Sequence, residues 1–254
     1  LISNSYDAGA TEVTIKLDLE QNQIIIRDNG AGMSSDEVEH NFLNIGNVTA
    51  VSNEVDKLGR KRIGTYGIGF LSTLPYCDNL QILTKKIYTN KIIDANIDAK
   101  EFLKKEKTPV NKLKVPYKVY ESDLPYESGE TILVLKNIAP HIIESLKQGK
   151  GSNKSTLEKY NGLEEFKWTL AQYAPIQFPP EQKKLREIFG YLDRVPMRLW
   201  VNGEELFRNV PEGDIEILDS GTKTFGDIKV KYAIMTTYRS IRPTELRGLQ
   251  IRVR

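Results

Sequence analysis

Asp28 stands where a strand has to end. Ile24, Ile25 and Ile26 lead through Arg27 into Asp28-Asn29-Gly30-Ala31-Gly32. A β-branched triple favours extended chain, and two glycines one residue apart stop it. Upstream, Val13, Ile15 and Leu17 alternate with polar neighbours, and Glu20-Gln21-Asn22-Gln23 separates the two runs, so a hairpin is predicted. A carboxylate fixed at such a strand end can accept from an amine while side-chain-free backbone lets a planar ring approach. Alone, the motif is a turn.

Two further elements restrict the chemistry. Gly64-Thr65-Tyr66-Gly67-Ile68-Gly69 precedes an apolar run from Phe70 to Leu74, read as a helix whose N-terminus is the glycine loop. Free N–H groups and the positive dipole end there form an anion site. Neither glycine cluster is the G-x-G-x-x-G of a dinucleotide unit, and no G-K-[ST] loop is present. Leu1 to Ala8 reads as the last turns of a helix closed by Gly9, which puts Asn4 and Asp7 on one face. An amide oxygen such as that of Asn4 suits Mg²⁺, a hard cation that keeps several waters. Between these elements, Ser34-Ser35-Asp36-Glu37 is a helix start running through Val38 and Phe42 to Ile45. Residues 46–63 are polar and mixed.

Strands are expected at 80–84, 92–97, 114–119 and 131–135, and helices at 141–147 and 163–173, with a Gly/Ser/Lys linker at 148–155. Ala174-Pro175-Ile176-Gln177-Phe178-Pro179-Pro180 cannot continue a helix and is read as a boundary. This gives a domain over 1–180 and the start of a second over 181–254, with strands at 197–201, 215–218, 228–235 and 249–253. The first and last residues look cut from something longer, and no targeting segment is visible. Among 254 residues, 39% are hydrophobic, 28% are charged and the net charge is +2, which excludes disordered and membrane-spanning classes and demands no polyanionic partner. Cys77 alone cannot form an internal disulfide, and His40 and His141 are too few for a typical zinc site. A reducing, cytoplasmic setting is expected. Tyr6, Tyr66 and Tyr76 read as core or pocket-wall residues, and Cys77 as a neutral structural thiol.

Taken in order, N-S-Y-D-A-G-A, D-N-G-A-G-M and G-T-Y-G-I-G-F-L-S resemble the three signature boxes of the GHKL ATPases, the superfamily of DNA gyrase, the ninety-kilodalton heat-shock chaperone, histidine kinases and the MutL mismatch-repair enzymes. Histidine kinases typically carry a basic residue where this chain has Asp7, and neither His40 nor His141 sits in a phosphoacceptor context. The G-F-R-G-E-A-L of the mismatch-repair branch is absent. The third box is most similar to the chaperone branch.

The resemblance implies a Bergerat-type α+β fold: an α/β sandwich with a mixed, largely antiparallel sheet carrying helices on one face, followed by an incomplete second α+β domain. It implies ATP and Mg²⁺ as ligands. Asp28 would accept the adenine amine, with Gly30, Gly32 and Met33 of the same box around the base and Thr131 completing that pocket. Asn4 would hold Mg²⁺, Asp7 would lie beside it, and Gly64, Gly67, Ile68 and Gly69 would cradle the phosphates. Residues 46–63 would form a lid, whose Lys57, Arg60, Lys61 and Arg62 could meet the γ-phosphate. The family's water-activating glutamate falls just before Leu1, so no catalytic residue is assigned and weak hydrolysis is expected. The implied function is an ATP-driven conformational switch in a protein that dimerises and acts on a client the sequence does not name. The alternative is a nucleic-acid-associated ATPase, suggested by Lys223, Lys229, Lys231, Arg239, Arg242, Arg247, Arg252 and Arg254 within 223–254.

Overall fold

The computed structural model describes residues 1–38, 58–60, 63–64, 69, 71–104, 116–148, 162–189, 195–226, 228–238, 241 and 246–248. Its strands are β1 (Glu12–Asp18), β2 (Gln23–Asp28), β3 (Cys77–Lys85), β4 (Lys91–Asp98), β5 (Tyr117–Glu121), β6 (Glu130–Ile138), β7 (Arg198–Val201), β8 (Glu204–Leu206), β9 (Ile215–Phe225) and β10 (Ile228–Thr237). The α-helices are α1 (Ile2–Asp7), α2 (Ala99–Lys104), α3 (Pro140–Gln148), α4 (Gly162–Tyr173) and α5 (Lys183–Phe189).

Eight strands form one sheet in the order β5-β4-β3-β6-β2-β1-β7-β8. Every pairing in it is antiparallel except β1 with β7. The mixed, largely antiparallel α+β architecture is therefore the one expected. The period-2 alternation of β1 buries Val13, Ile15 and Leu17 on one face, where they meet Ile26, Leu80, Ile82, Leu133 and Leu135 from the neighbouring strands. Tyr6 of α1 is buried in this cluster, and Leu163, Phe166 and Leu170 of α4 pack against it. The opposite face carries ion pairs of Arg27 with Glu130 and of Arg198 with Glu205, as a sheet solvated on one side should.

Predicted elements and observed ones coincide closely at β3, β4, β6, α3 and α4. The expected 114–119 strand lies slightly later, at Tyr117–Glu121. Two differences have physical causes. The apolar run after the glycine loop forms a 3₁₀ helix, Leu71–Tyr76, rather than an α-helix; Pro75 within it has no N–H to donate. β7 and β8, beyond residue 180, complete the same sheet because Asn202 ties their turn to β1. Its N–H donates to Ile15 O at 2.9 Å, and its Oδ1 accepts from Leu17 N–H at 2.8 Å. Among the described residues, the remaining strands, β9 and β10, form a two-stranded sheet of their own. The expected strand at 249–253 and most of the linker at 148–155 lie outside the described residues.

Candidate nucleotide site

One row of inward-facing residues organises the site. Ladder partners run Leu199–Val13–Asp28–Thr131–Thr84–Ile93 across β7, β1, β2, β6, β3 and β4. The ends of the row are apolar and buried, and its centre is three polar side chains that are equally buried: Asp28, Thr131 and Thr84. Buried polar groups require partners. Asp28 Oδ2 accepts from the Ser5 hydroxyl at 2.8 Å, and Oδ1 accepts from Gly30 N–H at 2.9 Å. Burial nevertheless pushes the Asp28 carboxyl above its ordinary value, with the Gly30 and Ser5 bonds pulling it back and Glu130 adding to the rise. Each carboxylate oxygen keeps a further lone pair for an incoming donor.

Thr84, which the motifs did not single out, ties the site together. Its hydroxyl donates to Glu130 O at 2.9 Å, accepts from Met33 N–H at 2.9 Å and lies 3.1 Å from Thr131 Oγ1. Ser5 was likewise missed, although it sits inside the first box.

The glycines of the second box serve packing between chain segments. A Cβ on Gly32, whose φ is +64°, would stand 1.8 Å from Lys85 O. One on Gly30 would meet Ala8 O at 2.9 Å, and one on Gly129 would meet Gly30 O at 2.3 Å. What approaches their Cβ positions closely is backbone of Ala8, of β3 and of the loop before β6. That loop is held by Lys85, whose buried Nζ donates to Pro125 O at 3.0 Å and Ser128 O at 2.5 Å. Asn29 closes the other side: its Oδ1 accepts from Thr11 and Glu12 N–H at 2.8 and 2.9 Å.

α1 brings the remaining groups to the same end of the sheet. Gly9, with φ +77°, ends the helix as its sequence required, and its N–H donates to Tyr6 O at 3.0 Å. The exposed Asn4 amide faces Gly69; a Cβ there would be 3.4 Å from Asn4 Oδ1. Asp7 accepts two backbone N–H bonds, from Ile63 at 2.8 Å and Gly64 at 2.7 Å, and so clamps the chain entering the glycine loop onto α1. Arg60, expected among the γ-phosphate candidates, is instead buried: its guanidinium lies 4.5 Å from the Tyr6 ring centroid and donates to Ala10 O at 2.8 Å. Gly67 and Ile68, together with Lys57, Lys61 and Arg62, lie outside the described residues, as does most of the 46–63 segment.

Tyr6 is a core residue as expected, whereas Tyr76 is half exposed, with its ring edge-on to that of His141 at 6.3 Å between centroids. Tyr66 lies outside the described residues. Cys77 is buried, and its thiol is pushed up to about 11 by burial and the neighbouring Asp78, as befits a structural cysteine. Among the described residues no group of three or more His, Cys, Asp or Glu could hold a metal. A single exposed amide oxygen fits a cation that keeps most of its waters and binds chiefly through a ligand's phosphates. No described helix is long and apolar enough to cross a membrane.

Known proteins resemble parts of this chain. A 72-residue stretch is 40% identical to a putative type II restriction enzyme, HgiDII, of Herpetosiphon aurantiacus, covering 28% of this chain and 12% of that protein. An 88-residue stretch is 30% identical to the chaperone protein HtpG of Rhizobium meliloti, covering 32% of this chain and 14% of that one. The matches thus span about an eighth to a seventh of those relatives. Among solved structures, the ATPase region of Saccharomyces cerevisiae topoisomerase II aligns with 81% of this chain and 48% of its own, at 11% identity and a TM-score of 0.42. Residues 1–129, half of the chain, match the family model described as histidine kinase-, DNA gyrase B- and HSP90-like ATPase, and the chain belongs to that family.

Proposed function

We propose that this chain is the Mg-ATP-binding unit of a heat-shock-ninety-like ATPase, in which nucleotide binding closes the segment before the glycine loop and moves the following domain. The observation that carries the reading is Asp28: a buried carboxylate, bonded to Ser5 and Gly30, in register beside Thr131. Such a group accepts from an exocyclic amine and repels a keto oxygen, which favours adenine over guanine. Asn4 would hold Mg²⁺ against the phosphates, and Gly64, Gly67, Ile68 and Gly69 would cradle them. Met33, whose N–H donates to Thr84, would line the base pocket. Hydrolysis is proposed to depend on a glutamate one helical turn before Asn4, and the protein to dimerise in the cytoplasm. The nucleotide-binding unit includes β7 and β8 and runs to Leu206, and the β9–β10 ribbon opens the second domain.

A second reading, a nucleic-acid-associated ATPase, is favoured by the HgiDII match and by Lys223 and Lys229, exposed on the β9–β10 ribbon. Arg239, Arg242, Arg252 and Arg254 lie outside the described residues, and Arg247 is exposed.

Calorimetric titration of the chain with ADP and a non-hydrolysable ATP analogue, with and without Mg²⁺, tests the binding reading, with Asp28→Asn alongside. Binding that disappears in the variant is expected; equal binding by both proteins would sink it. Retention on DNA at low salt, weakened by charge reversal at Lys223 and Lys229, would move the assignment to the second reading.

A further inference from the structure

Counting protons fixes the polarity of a group in the base pocket. The Thr84 hydroxyl carries one proton. Its contact at 2.9 Å with Glu130 O, which can only accept, uses that proton. Its contact at 2.9 Å with Met33 N–H, which can only donate, occupies one lone pair. In the remaining contact, at 3.1 Å to Thr131 Oγ1, Thr84 has only a lone pair to offer, so the proton in that bond belongs to Thr131. Thr131 has then spent its only donor inside the protein and can present nothing but lone pairs to a ligand. Across the β2–β6 ladder its register partner is Asp28, a second group that accepts.

We propose that Thr84 is a positioning residue for base selectivity: by taking the Thr131 proton it makes that wall of the pocket wholly hydrogen-bond accepting, so that it admits the 6-amino group of a purine, directly or through one water, and disfavours a 6-keto oxygen at the same place. The proposal rests on the reading of the Asp28 row as an adenine site. The residue is buried and its three partners are all protein groups, so it acts through Thr131 without touching the base.

The experiment is a calorimetric comparison of ATP with inosine triphosphate, which replaces the amine by a keto oxygen. The full chain and its Thr84→Val, Thr84→Ser and Thr131→Val variants are each titrated. In Thr84→Val, Thr131 regains a free O–H, and the preference for ATP over inosine triphosphate falls about tenfold, the scale of one hydrogen bond. Thr84→Ser keeps the preference, and adding Thr84→Val to Thr131→Val changes it no further. An equal loss of affinity for both nucleotides in Thr84→Val, or an unchanged ratio, overturns the proposal. Should Thr84→Val not fold, Thr131→Val decides: the ratio must fall there too, and an unaltered ratio overturns it. Wild-type chain that binds neither nucleotide overturns the adenine-site reading itself, a result distinct from binding without dependence on Thr84.

Discussion

The Ser5 hydroxyl on α1 donates to Asp28 Oδ2 on β2 at 2.8 Å, joining the first and second boxes through one bond between buried side chains. The bond holds the helix that carries Asn4 and Asp7 against the end of the strand that carries the carboxylate. Both boxes are thereby positioned before any ligand arrives.

Asp28 should cost stability while serving binding. Because burial raises its carboxyl in the folded state, the folded chain holds that proton more tightly than the unfolded chain. Its contribution to stability is full below the unfolded value of 3.8, declines as pH rises from there through the raised folded value, and stays at its minimum above. Asp28→Asn, which keeps the Gly30 bond through its oxygen and can reverse the Ser5 bond so that the amide N–H donates to the hydroxyl, is expected to melt a few degrees higher than wild type at neutral pH and to lose that advantage in acid. Melting curves of both proteins across this range check it; a variant that melts lower at pH 7 contradicts it.

Gly32→Ala should fail where Gly203→Ala is tolerated. Both residues have positive φ, but the added methyl meets Lys85 O at 1.8 Å in the first case and nothing within 4 Å in the second. Gly203→Ala carries only the left-handed backbone cost, about 1–2 kcal/mol. Gly32→Ala adds displacement of β3 backbone, for about 3 kcal/mol or more. Urea midpoints at unchanged slope give the comparison, and equal losses would show that the box is not packed as described.

Replacing Arg60 by lysine should not rescue its loss to alanine. A planar guanidinium both stacks on Tyr6 and reaches Ala10 O, and an ammonium cannot do both. Arg60→Ala and Arg60→Lys are each expected to cost about 2–4 kcal/mol in denaturant unfolding. A near-neutral lysine variant would reduce the residue to a solvated charge.

Asp7→Asn should separate phosphate affinity from base affinity. An amide has one oxygen where the carboxylate uses two to hold the Ile63 and Gly64 N–H groups. Affinity for ATP should drop about three- to tenfold while affinity for adenosine stays unchanged. Parallel losses for both ligands would place Asp7 at the base instead.

The strand phases held a part of the candidate site that the boxes did not. Ile24-Ile26-Asp28, Leu80-Ile82-Thr84 and Thr131-Leu133-Leu135 each run two apolar residues and one polar residue along the inward face. A polar side chain in buried phase at the end of three strands is the signal by which Thr84 could have been found beside Asp28 and Thr131. Ser5 had no such signal, because its significance depends on where α1 docks. Arg60 misled for a related reason: a basic residue in a polar loop reads as solvated, whereas this one is buried against the Tyr6 ring and the Ala10 carbonyl. Asn202-Gly203 was a readable two-residue turn, both residues having positive φ, yet the strand it returns to is set by the Asn202 bonds to β1.

The parallel pairing of β1 with β7 also sets an order of events during synthesis. β2, β6 and β3 can assemble once residue 138 has emerged, but the outer edge of β1 finds its partner only when residues 198–201 follow. At about 5–20 residues per second, the roughly 180 residues between β1 and β7 leave that edge unpaired for about 9–36 s on the ribosome. A nascent chain stalled before Val201 therefore displays Glu12–Asp18 as an open template for other strands, the interval in which this protein most needs protection from aggregation.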